Sequence, residues 1–273
     1  MFWQRTASSL VFVVIIASMI YFGGWVFASL CILLAASTMF EFGKMVEDKL
    51  ALMENPSEQT TPVKGQVRFF IISILGAALL TFCVGYGIFP LLPALLCLCF
   101  VGLLFYALKN AMSPAAALIF LSGMVYFSFG FGGLLVLRFL DAGYIACFAF
   151  CISVGTDVGG YLIGSLFGKH KISPRVSPNK SWEGAFGGIF LALVLACTYN
   201  HFLLHKPLLF VISVAICGSL LCQCGDLIES AIKRWAGVKD SGKLIPGHGG
   251  LFDRFDSILI LAPMLYACFT LWV

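Results

Sequence analysis

PLLFVISVAICGSLLCQCGDLIESA, residues 207–231, decides the fold class. Its first charged residue is Asp226, so the apolar part alone is long enough to cross roughly 30 Å of hydrocarbon as a helix. No polar and apolar residues alternate along it as a barrel strand requires. A backbone that crosses lipid must satisfy its own hydrogen bonds, and without a barrel pattern only a helix does so. The chain is therefore predicted to be an all-α, polytopic membrane helical bundle.

Composition extends that reading to the whole molecule. Sixty per cent of the 273 residues are hydrophobic and 11% are charged, which excludes an ordinary soluble domain. Nine stretches qualify as spans, approximately 6–22, 24–43, 67–88, 91–108, 114–138, 143–166, 184–203, 207–231 and 254–273, with only Gly23 and Gly24 dividing the first two. With the N-terminus cytoplasmic, fifteen of the seventeen Lys and Arg fall in inside loops and only Arg138 and Lys206 outside, as the positive-inside rule expects. The first span is expected to be retained, because no small-x-small cleavage site follows it directly. No internal repeat of the kind that marks many transporters is visible. The eleven cysteines lie almost entirely in apolar runs, where thiols act as small hydrophobes, and their spacing suggests neither zinc nor a disulfide framework. Residues 47–66 read as a flexible connector.

One continuous membrane domain is expected, with residues 1–150 as scaffold helices and 151–273 as the functional region, carrying cytoplasmic loops 167–183 and 232–253. Glu41 is expected at the interface near the inner end of the second span. Asp157 sits in the middle third of an apolar helix, where an ionisable side chain faces a partner cation or a watered cavity, or is capped by a hydroxyl. The loop GKHKISPRVSPNKSWEG, residues 168–184, offers cations and the donors Ser177, Asn179, Lys180 and Ser181 to an anion, while Glu183 suits a helix N-terminus. Gly184 and Gly188 form a small-xxx-small pair for packing.

The run that leaves 207–231 continues as SAIKRWAGVKDSGKLIPGHGGLFDRFD, residues 230–256. At 100° per residue, Asp226, Glu229 and Lys233 share one helical stripe with Ser230 beside it, and Asp253 and Asp256 repeat the i, i+3 spacing. Carboxylates without His or Cys partners suit a hard divalent cation such as Mg²⁺. Lys233, Arg234, Lys239, Lys243 and Arg254 suit phosphate oxygens. Glycines at 247, 249 and 250 let backbone amides approach an anion. These parts describe phosphoryl or nucleotidyl transfer to a substrate in the bilayer. No P-loop, kinase motif set or Gly-x-Ser-x-Gly elbow is present.

Residues 230–256 resemble the signature of the phosphatidate cytidylyltransferase (CDP-diacylglycerol synthase) family: Ser-x-hydrophobic-Lys-Arg, four residues, Lys-Asp, then Pro-x-His-Gly-Gly and Asp-Arg-x-Asp. SPNKSWEG at 177–184 and TDVGGYLIGSLFGK at 156–169 resemble two upstream motifs of that family, with Asn179 in place of its usual Lys, Ser181 in place of Thr, and Ser165 where a basic residue is common. These motifs cover about the last 120 residues. The resemblance implies the conversion of CTP and phosphatidic acid to CDP-diacylglycerol and pyrophosphate with Mg²⁺, and it leaves room for a second cation. On that reading Asp226, Asp253, Lys233, Lys239, Asp240, His248 and Arg254 are the expected catalytic residues. Ser177, Lys180, Ser181, Glu183, Ser230, Arg234, Gly249 and Gly250 are the expected substrate contacts. Asp226 and Asp253 are the expected principal metal ligands, with Asp256 and Glu229 in support and Asp157 at a second cation. The expected partners are CTP, phosphatidic acid, the bilayer and a second copy of the chain, with no nucleic acid. The expected location is a bacterial inner membrane. A CTP-dependent lipid kinase and an ion-coupled transporter are the alternatives.

Overall fold

The structure, a computed structural model, describes residues 18, 20–54, 64–88, 114–141, 143–242 and 249–271. Seven long α-helices occur among them: α1 (Gly24–Glu54), α2 (Lys64–Gly85), α3 (Pro114–Leu140), α4 (Tyr144–Phe167), α5 (Trp182–Tyr199), α6 (Leu208–Ala236) and α7 (Phe252–Leu271). Among the described residues six segments are long and apolar enough to cross a membrane: Gly24–Val46, Pro114–Leu140, Tyr144–Phe167, Trp182–Leu204, Leu208–Ala236 and Phe252–Leu271. The chain is thus a polytopic helical membrane protein. Of the nine expected spans, 91–108 lies outside the described residues, as does most of 6–22. The expected 67–88 span appears as α2, an apolar helix of 22 residues.

Two compact units make up the chain: Met1–Val136 with Trp235–Asp253, and Leu137–Arg234 with Arg254–Val273. In the first, Gly23 and Gly24 both take left-handed φ (59° and 51°) and interrupt the backbone before α1, which is why the sequence needs glycine there. The buried rings of Phe42 on α1 and Phe127 on α3 meet edge to face at 5.7 Å. On α2, side chains placed at Gly76 and Gly85 would strike Met124 and Leu135 of α3. Ser128 on α3 donates to the Ala77 carbonyl across the same contact at 3.2 Å.

The second unit is built on close helix approach. A Cβ at Gly155 would lie 2.8 Å from Ala192 Cα, one at Gly188 2.7 Å from the Thr156 carbonyl, and one at Gly159 would overlap the Gly187 carbonyl. Four glycine-sized positions therefore let the α4 and α5 backbones touch, as small residues do where lipid offers no hydrophobic drive to association. Thr156 then donates to Ser219 Oγ on α6 at 2.8 Å. Phe269 of α7 meets the rings of Phe148 and Phe210.

The structure departs from the all-α expectation at the loop between α4 and α5. Residues Lys171–Ser173 (β1) and Ser177–Ser181 (β2) pair antiparallel, Lys171 opposite Ser181 and Ser173 opposite Ser177. Each strand is polar and Pro178 lies in β2, so no alternating pattern signals them; a two-strand ribbon leaves every strand an edge, where proline is tolerated. Beyond α5 the helix widens into a π turn at Asn200–Leu204 and stops at His205, φ 51°. Asn200 fixes that stop, accepting from the Lys206 amide at 2.8 Å and donating to its carbonyl at 3.0 Å.

Candidate active site

In the second unit the site is assembled where α6 ends. Asp226 and Glu229 stand one turn apart on α6, and Asp256 joins them from α7, with one oxygen of each carboxylate within 4.8 Å of the others. Gly225 permits this, since a Cβ there would lie 2.5 Å from the Asp256 carbonyl. Glu229 is 2% exposed and Asp256 8%, while Asp226 stays open to the outside. Two lysines answer the charge: Lys180 Nζ of β2 is 2.6 Å from Asp226 Oδ2, and Lys233 Nζ is 2.7 Å from Glu229 Oε2. Ser230 donates to Asp226 Oδ1 at 3.4 Å. Asp157 on α4 is exposed and lies within electrostatic reach of Asp226, Lys180 and Arg254. Buried carboxylates crowded this closely repel one another strongly. An all-oxygen donor set of this kind fits a hard divalent ion.

The hairpin that carries Lys180 is locked at both ends. Ser181 caps α5, accepting from the Gly184 amide at 3.2 Å. The Glu183 carboxylate accepts from the Lys169 and His170 amides at 3.2 Å and meets His170 Nδ1 at 2.6 Å. Glu183 therefore closes the base of the hairpin. Arg234 donates from Nε to the Val176 carbonyl at 3.3 Å, tying the hairpin turn to α6. Ser177 stands on β2, half-buried.

In the first unit Asp253 opens α7. Its Oδ2 accepts from the Ser241 amide (3.0 Å), the Ser241 hydroxyl (2.9 Å) and the Gly250 amide (2.8 Å). Lys239 and Asp240 precede this closure and are exposed. Gly249 has φ +82°, a conformation that glycine adopts without strain. Lys243, Gly247 and His248 lie outside the described residues. Arg254 is exposed at the start of α7.

Of the residues expected at the site, the structure thus brings Asp226, Glu229, Asp256, Ser230, Lys180 and Lys233 into one group, with Asp157 nearby. It engages Asp253 with Ser241 and Gly250. Sequence reasoning did not single out His170, whose partner Glu183 is thirteen residues away, or Ser241. It expected Glu41 at the interface, whereas Glu41 is buried at 4% exposure. A carboxylate among apolar neighbours was the signal for Glu41; the other two lacked one.

Comparison with known proteins agrees with this chemistry. The family model described as "Cytidylyltransferase family" matches residues 3–272. A phosphatidate cytidylyltransferase of Staphylococcus epidermidis is 40% identical over 176 residues, covering 64% of this chain and 67% of the relative. One from Staphylococcus aureus is 39% identical over the same length and coverage. One from Mycobacterium leprae is 40% identical over 163 residues, covering 60% of this chain and 52% of the relative.

Proposed function

The chain belongs to the cytidylyltransferase family, and we propose that it acts as a phosphatidate cytidylyltransferase of phospholipid biosynthesis. The observation that carries the reading is the carboxylate cluster of Asp226, Glu229 and Asp256 with Lys180 and Lys233 paired to it. In the reaction an oxygen of the phosphatidic acid monoester forms a bond to the α-phosphorus of CTP. The bond from that phosphorus to the bridging oxygen of the β-phosphate breaks, and pyrophosphate leaves. A phosphomonoester has a second pKa near about 6, so the attacking oxygen is largely deprotonated and needs no strong base. The obstacle is bringing two polyanions together, and electrostatic neutralisation and alignment are the remedy.

Asp226, Glu229 and Asp256 are the side chains we assign to Mg²⁺, which when bound draws phosphate oxygens together and offsets their charge. Lys180 and Lys233 neutralise phosphate oxygens beside it, exchanging their present carboxylate partners for substrate. Arg234 and Arg254 provide planar forks for phosphate, and Ser177, Ser181 and Ser230 provide hydroxyl donors. The loop from Lys239 and Asp240 through His248, Gly249 and Gly250 is assigned to the CTP triphosphate, with Asp253 holding its shape. Asp157 remains assigned to a second cation. The same proposal includes nine spans, a cytoplasmic N-terminus, an inner-membrane location and a homodimer.

The test is transfer of label from cytidine-labelled CTP to lipid by the purified protein with phosphatidic acid and Mg²⁺, beside Asp226→Asn. Label in lipid from the wild type, with the folded variant reduced by about a thousandfold, is the expected outcome. Label reaching lipid only from the γ-phosphate would replace the transferase with a kinase. No transfer at all would end both enzyme readings.

A further inference from the structure

Glu41 stands on α1, where it is the first charged residue of the helix. Its carboxylate is buried, and Oε2 accepts the amide of Phe252 at 3.1 Å across 211 residues of sequence. Phe252 is itself fixed: its ring is fully buried and meets Phe127 edge to face at 5.0 Å. Two glycines of the signature loop form the rest of the cradle. A Cβ at Gly242 would lie 2.5 Å from Glu41 Oε1, and one at Gly250 2.6 Å from Glu41 Oε2. Neither glycine has the positive φ that would call for glycine on backbone grounds. At Gly242 the three atoms nearest to such a side chain all belong to Glu41; at Gly250 Ser241 Oγ and the Gly242 amide crowd in as well. Beside this cradle, Asp253 gathers the Ser241 and Gly250 amides. The two ends of the signature loop therefore converge on two carboxylates, one of which comes from α1.

Burying a carboxylate is costly, and a well-packed apolar side chain would hold a helix contact at least as well. We propose that Glu41 is a positioning residue for cytidylyl transfer, holding from α1 the two ends, residues 241–242 and 250–252, of the loop assigned above to the CTP triphosphate. The inference rests on that assignment. It makes α1 part of the catalytic apparatus and explains why Gly242 is glycine.

The test uses the full chain with Glu41→Ala, Glu41→Gln, Gly242→Ala and the double variant Glu41→Ala/Gly242→Ala. KM for CTP, KM for phosphatidic acid and kcat are measured, along with hydrogen exchange at the amides of residues 250–252. Glu41→Ala is expected to raise KM for CTP by about tenfold with little change for phosphatidic acid, because only the nucleotide loop shifts. Glu41→Gln, whose carboxamide oxygen still accepts from Phe252, recovers most of that loss. Gly242→Ala is expected to be harmful in the wild type and to add less than about twofold in the Glu41→Ala background, since its clash partner is gone. A fall in kcat alone would mean fewer folded molecules and would overturn positioning. So would equal harm from Gly242→Ala in both backgrounds, or unchanged exchange at residues 250–252. Should the wild type transfer no cytidylyl group, the enzyme reading fails and the positioning role fails with it, whereas the exchange data still report whether Glu41 holds the loop.

Discussion

At the scale of single residues, the two lysine–carboxylate pairs differ in what they can give up. Lys180 reaches Asp226 from a hairpin; its ammonium is covered, whereas Asp226 stays open to solvent, so the pair can open from the carboxylate side to admit phosphate. Lys180→Met is expected to lower kcat/KM by about a hundredfold, close to ~2.7 kcal/mol of transition-state stabilisation, while thermal unfolding in detergent moves little. Steady-state assays beside a melting curve check this. Lys233 and Glu229 lie one turn apart on α6, Glu229 buried and Lys233 nearly so at 12% side-chain exposure. Removing one partner of a buried pair typically costs about 3–5 kcal/mol, so Lys233→Ala is expected to lose folded protein as well as activity, and Lys233→Met/Glu229→Leu to regain stability without activity. Equal stability of the single variant and the wild type would remove the structural half of this assignment. The stripe of Asp226, Glu229 and Lys233 was legible in the sequence because helical spacing alone puts those residues on one face. Asp256 was expected beside it in a supporting role; how closely it joins was not legible, because that depends on Gly225 letting α7 approach α6.

At the scale of elements, the β1–β2 hairpin presents Lys180, and its geometry depends on Glu183. Glu183→Ala removes the acceptor for the Lys169 and His170 amides and for the His170 ring. Faster proteolysis between residues 169 and 176 and about a tenfold fall in kcat/KM are expected; an unchanged cleavage pattern would mean that strand pairing alone holds the hairpin. The α4–α5 contact is more rigid. A side chain at Gly187 would run into Ile163, and one at Gly159 into the backbone of α5. Overpacking of this kind costs about 1–3 kcal/mol. Gly159→Leu is expected to lower the yield of monodisperse protein more than Gly160→Leu, since a Cβ at Gly160 would meet only the Gly184 carbonyl, at 3.7 Å.

At the scale of the whole molecule, the proposed topology, argued from the charge split, puts the hairpin on the cytoplasmic side and the His205–Pro207 turn on the other. A cysteine at Lys206 is expected to react with a membrane-impermeant maleimide in intact cells, above the background of the native thiols, and one at Asn179 only after permeabilisation. The reverse pattern would invert the topology. Helical class and membrane location were determined by the sequence itself, and the candidate site residues were named from it, since hydropathy, charge and spacing are local properties that a chain carries unfolded. The hairpin, the burial of Glu41 and the assembly of Asp226, Glu229 and Asp256 were decided only by tertiary structure. The last two depend on how closely distant segments approach, a distance set at glycines such as Gly225 against Asp256 and Gly242 against Glu41.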